Sequence, residues 1–137
     1  MLVKFLELWC LNNHGIPLFY HHPKMKKDEK NLDSLDSAQL ISGLFSAIQT
    51  MAESTLNEDV TLIELNKTKL LFNRKENITV IARVKLSEHK SSVKSLLRKV
   101  TENFINDFRD ILDDWMGNTL IFDKFKEQVS DLWEDNT

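Results

Sequence analysis

Residues 5–20 read FLELWCLNNHGIPLFY, and the reading of this stretch decides the fold. Two apolar runs, Phe5 to Leu11 and Ile16 to Tyr20, flank the tetrapeptide Asn12-Asn13-His14-Gly15. Asn and Gly tolerate the positive φ angles that tight hairpin turns need, so the spacing predicts a β-hairpin. Pro17 has no amide donor, which places the second strand at an edge of a sheet rather than in its middle. An exposed edge can accept another strand, so Ile16, Leu18 and Tyr20 are expected to form one candidate partner-binding surface.

Downstream of the hairpin, His21 to Ser34 is polar and gathers Lys24, Lys26, Lys27, Asp28, Glu29 and Lys30, which reads as a solvated loop. Asp36 or Ser37 can then cap a helix running to about Ser54, with apolar residues at Leu40, Ile41, Leu44, Phe45, Ile48, Met51 and Ala52. From Ser37 through Ala52 this helix carries no charged residue. A helix packed by one face alone normally keeps Lys, Glu or Arg on the other.

On a helical wheel, the stripe Ile41, Phe45, Ile48 and Ala52 is expected to face the sheet, with Leu40, Leu44, Ala47 and Met51 extending it sideways. The remaining flank carries Gln39, Ser42, Gly43, Ser46, Gln49 and Thr50, small or uncharged residues that let another backbone come close. Two readings stay open for that flank. It is the second candidate partner-binding surface, since interface cores are depleted of charge, or it lies under the chain's own loop from His21 to Ser34.

Three strand-like runs follow, Val60 to Leu65, Thr68 to Asn73 and Ile78 to Leu86, separated by Asn66-Lys67 and Glu76-Asn77. They predict a meander. The third run alternates, with Ile78, Val80, Ala82, Val84 and Leu86 on one face and Thr79, Ile81, Arg83 and Lys85 on the other. A long amphipathic helix is predicted from about Ser91 to Trp115, burying Val93, Leu97, Val100, Phe104, Phe108, Ile111 and Trp115. Gly117 closes it, and a short last helix from Asn118 or Thr119 carries Phe122, Phe125, Val129 and Trp133 at helical spacing.

Length and composition bound the functional classes. The 137 residues, 42% of them hydrophobic, suffice for one domain with a substantial core, so residues 1–137 are read as a single unit. The formal net charge of -3 lacks the basic excess that a phosphate backbone attracts, which argues against nucleic acid as a partner. The single cysteine, Cys10, stands between Trp9 and Leu11 as a small buried apolar residue and points to a reducing, cytoplasmic setting. Met1 to Leu11 is interrupted by Lys4 and Glu7 and falls short of a membrane span, so neither a signal peptide nor insertion into a membrane is expected.

Catalytic signatures are missing where they would have to stand. The glycines, Gly15, Gly43 and Gly117, are far apart and form no phosphate-binding loop. His14, His21, His22 and His89 make no ligand pair at helical spacing with one another or with Cys10, so no metal or cofactor is expected. Asp110, Asp113 and Asp114 read as solvated acids near a helix end. No G-x-S-x-G elbow is present, and no catalytic residue is assigned.

The predicted order, ββαβββαα, resembles the longin domain over about Val3 to Trp133. The hairpin Leu8-Trp9-Cys10-Leu11-Asn12-Asn13-His14-Gly15-Ile16-Pro17-Leu18-Phe19 looks like the opening of small stand-alone longin or roadblock-like proteins. The roadblock fold usually begins with an extra helix, so the longin form is preferred. The resemblance implies an α+β, profilin-like fold in which a five-stranded, mainly antiparallel sheet lies between one helix and two. It further implies a non-catalytic platform that pairs with itself or another longin or roadblock-type subunit through the first helix or an edge strand. Such platforms bind or regulate small GTPases in membrane trafficking. The rival reading is a small-molecule sensor of the profilin-like kind, which needs a pocket between the sheet and the long helix.

Overall fold

A computed structural model describes residues 5–12, 15–21 and 32–113, with the side chains of 32–39 and 110–113 excepted. The elements are β1 (Phe5–Leu11), β2 (Pro17–His21), α1 (Leu32–Met51), β3 (Leu62–Glu64), β4 (Thr68–Lys75), β5 (Ile78–Lys85) and α2 (Lys90–Asp113). The strands form one sheet in the order β2-β1-β5-β4-β3, and every neighbouring pair is antiparallel. The fold is therefore the α+β arrangement that the order of elements implied. The proposed last helix and the loop centred on residues 22–31 lie outside the described residues.

The hairpin turn is closed by two backbone bonds, Asn12 N–H to the Ile16 carbonyl at 3.0 Å and Gly15 N–H to the Asn12 carbonyl at 3.1 Å. The Asn12 side chain accepts from the Ile16 amide at 3.0 Å, and Gly15 takes φ +76°. β2 is an edge strand, where the missing donor of Pro17 costs no ladder bond. β1 lies inside the sheet and is apolar on both faces, as a strand covered from two sides must be.

α2 covers one face. Its Val93, Leu97, Val100, Phe104, Ile105 and Phe108 pack on Phe5, Leu8 and Cys10 of β1 and on Ile78, Val80, Ala82 and Val84 of β5. Asn73 of β4 reaches across to the buried Thr101 hydroxyl at 2.9 Å, and that hydroxyl donates to the Leu97 carbonyl at 2.7 Å. The other face holds Trp9, Leu11, Leu70, Phe72 and Ile81, and α1 seals it through Phe45. Ile81 is thus fully buried although it alternates onto the more polar face.

Several boundaries depart from the sequence reading: β3 shrinks to Leu62–Glu64 and β4 runs on to Lys75, and three further ends differ. α1 starts at Leu32, so Asp36 and Ser37 lie inside it and do not cap it. Its other end passes into a π-helical turn, Ala52–Leu56, closed by Asn57 at φ 58°. β5 ends at Lys85, so Leu86, expected on the inner face, is exposed.

Candidate protein-interaction surface

α1 is set on the sheet by an aromatic cluster and by the hairpin turn. The Phe45 ring stands edge-on to Trp9, with centroids 5.4 Å apart, and edge-on to Phe72 at 5.6 Å. On the adjoining flank the turn comes so near that a β-carbon on Gly15 would lie 2.6 Å from Ser46 Cβ. Ser42 is fully buried and Ser46 half-buried. The small residues of α1 therefore do admit another backbone, and the backbone is the chain's own β1–β2 turn.

The rest of that flank is divided. Gln49 spans to the segment before β3, donating to Asp59 Oδ1 at 3.1 Å and accepting from the Val60 amide at 3.2 Å. Gly43 and Thr50 are exposed, and no atom lies within 4 Å of the place a Gly43 β-carbon would take. Gln39 lies on α1, but its side chain is outside the described residues.

What α1 turns outward is the stripe expected to lie sideways against the sheet. Leu40, Leu44 and Met51 are 76%, 58% and 66% exposed, and Ala47 is exposed between them. Their spacing keeps them on one side of the helix over about 16 Å. The stripe expected to face the sheet is on the inner side, with Phe45 buried and Ile41, Ile48 and Ala52 half-buried, but the buried face extends toward Ser42 and not toward the leucines, which point out. The expected apolar flank is corrected accordingly, with Ser42, Ser46 and Gln49 engaged within the chain.

At the β2 edge, Ile16 is exposed, Leu18 is buried in the α2-side core, and Tyr20 is half-buried. The Tyr20 hydroxyl donates to Glu7 Oε2 at 2.8 Å, while Arg83 Nε donates to Glu7 Oε1 at 2.6 Å. This trio joins β2, β1 and β5 on the α1 side of the sheet. Burial first, and then the hydrogen bond to Glu7, push the Tyr20 phenol above its usual range. Burial alone does the same to the Cys10 thiol. Such a thiol is protonated and inert at neutral pH.

A cleft of about 60 Å³ opens beside α1, floored by Leu11, Phe45, Phe72 and Ile81. It lies between the sheet and the first helix, not the long helix that the sensor reading required. Three of its polar residues are engaged within the chain: Gln49 as described, and Arg74 in an ion pair with Glu53. Among the described residues no group of His, Cys, Asp and Glu could hold a metal ion.

No protein-family model and no curated protein sequence matches the chain. Solved structures do. The Roadblock/LC7 domain from Streptomyces avermitilis is 16% identical with a TM-score of 0.54, covering 81% of this chain and 88% of that chain. Myxococcus xanthus MglB is 13% identical with a TM-score of 0.57, covering 77% of this chain and 85% of that chain. At these identities the likeness shows the fold, which is roadblock/longin-like.

Proposed function

We propose that this roadblock/longin-like chain is a non-catalytic, single-domain binding platform that pairs with a second copy of itself through α1. One observation carries the reading: the exposed stripe of Leu40, Leu44, Ala47 and Met51 on the part of α1, Ser37 to Met51, that carries no charge. An apolar stripe of this kind, left in water, marks an interaction site. A two-fold contact sets a surface against itself, so an uncharged stretch of helix meets its copy without like-charge repulsion. Gly43 and Thr50, beside the stripe, leave room for the second backbone.

The resemblance to longin and roadblock domains extends the proposal to the partner of the pair, a small GTPase bound or regulated in trafficking-type processes. The β2 edge around Ile16 is the surface left for it, since α1 is taken by the copy. The test is the mass of the chain in solution, followed by titration of the assembled protein with a purified small GTPase in each nucleotide state. Assembly lost on Leu44→Asp, with the fold retained, supports pairing through α1. Unchanged assembly rejects it. Failure of every GTPase to bind the assembled form rejects the partner class alone.

A further inference from the structure

The end of the sheet where β4 begins and β5 finishes carries a different surface. Thr68 stands opposite Lys85 in the β4–β5 register, and the Leu65 amide donates to the Thr68 carbonyl at 2.8 Å. The β3–β4 turn therefore lies beside the segment leading from β5 into α2. Two leucines protrude there, Leu65 at 48% exposure and Leu86 at 41%. Lys67, Lys85 and Lys90 are exposed around them, and Lys94 follows one turn into α2. None of these four lysines is in an ion pair among the described residues.

The carboxylates nearby are Glu64, exposed, and Glu88, half-buried. The Lys69 ammonium is buried and donates to the Glu88 carbonyl at 2.5 Å, adding a further positive charge beneath the surface. Cations thus outnumber acids locally in a chain whose net charge is -3. The N-terminal end of the α2 dipole points the same way.

We propose that this end of the sheet docks the protein peripherally on an anionic lipid bilayer. Leu65 and Leu86 rest at headgroup depth while the lysines meet the lipid phosphates and carboxylates. Protruding apolar residues ringed by ammonium groups match a diffuse negative surface. A defined protein carboxylate is better met by the planar fork of arginine, and the four cations around the leucines are all lysines. The attachment is lateral, since no described helix is long and apolar enough to cross a membrane. It rests on residues apart from α1, so this proposal and the pairing proposal fail independently.

The test is co-sedimentation of the full chain with vesicles of phosphatidylcholine alone and of phosphatidylcholine mixed with phosphatidylserine. Two variants run beside the wild type, Lys67→Gln/Lys85→Gln/Lys90→Gln and Leu65→Ser/Leu86→Ser, each checked for fold by circular dichroism. The wild type is expected to sediment with the phosphatidylserine vesicles only, and to be released by salt. The lysine variant is expected to partition roughly a hundredfold less, and the leucine variant several-fold less. Equal sedimentation with both vesicles, no sedimentation with either, or unchanged partition of either variant overturns the proposal. So does binding to soluble polyglutamate without binding to vesicles, which would assign the surface to an acidic polypeptide.

Discussion

Gly15 and Ser46 meet without room for a β-carbon: one built on Gly15 would lie 2.6 Å from Ser46 Cβ and 2.7 Å from its Oγ. The same glycine takes φ +76°, so a side chain is opposed by its own backbone as well as by α1. Gly15→Ala is expected to destabilise the fold by at least about 2 kcal/mol in urea denaturation. Gly43→Ala is the control. It adds a methyl where nothing lies within 4 Å, and the better helix propensity of Ala should raise stability by about 1 kcal/mol.

Tyr20 is the only tyrosine, so the phenolate band of the native protein reports it alone. An ordinary tyrosine titrates near 10. Burial and the hydrogen bond to Glu7 hold the Tyr20 proton more tightly in the folded state than in the unfolded chain. Its contribution to stability is therefore constant below about pH 10 and declines as pH rises past that value. A spectrophotometric titration is expected to find ionisation displaced to higher pH, and Glu7→Gln to bring it part of the way back, since burial remains. Titration at the ordinary value would remove the Tyr20–Glu7 contact from the account.

Adjacent positions on α1 should behave in opposite ways. Phe45 fills the space between Trp9 and Phe72, and Phe45→Ala is expected to cost about 3–5 kcal/mol in the stability of the isolated chain. Leu44 is largely exposed, and Leu44→Ser should change that stability by no more than about 0.5 kcal/mol while weakening self-association. Chemical denaturation at low protein concentration, paired with sizing at high concentration, separates the two effects.

Much of the fold was legible because its signals are local. Asn12 and Gly15 dictate a turn, Pro17 dictates an edge, and the alternation from Ile78 to Val84 dictates a strand with a buried face. α2 was equally open to reading, since charged residues mark its outer side. The rotation of α1 was legible only as far as the stripe through Ile41, Phe45 and Ile48. From Ser37 to Met51 the helix has apolar residues over half its circumference and no charge on the rest, so periodicity cannot choose which side of that stripe also turns inward.

The choice is made by residues distant in the chain: Trp9 and Phe72 around Phe45, and Gly15 against Ser46. The Glu7–Arg83 pair, 76 residues apart, is of the same kind. For the candidate surface this meant that the side of α1 left exposed differs from the side expected. Leu40, Leu44 and Met51 were read as a sideways extension of the buried stripe and are exposed. Of the two readings open for Ser42 and Ser46 it is coverage by the chain itself that holds, through the hairpin turn where the loop was expected.

Sedimentation equilibrium of the wild type and of Gly43→Arg tests pairing through α1 most directly, because Gly43 has open space around it and the folded chain can carry the larger side chain. The account predicts a wild-type mass of twice 16.0 kDa and a Gly43→Arg mass of 16.0 kDa, with the same circular dichroism spectrum. A wild type that stays at 16.0 kDa at every concentration, or a variant that keeps the wild-type mass, would contradict it.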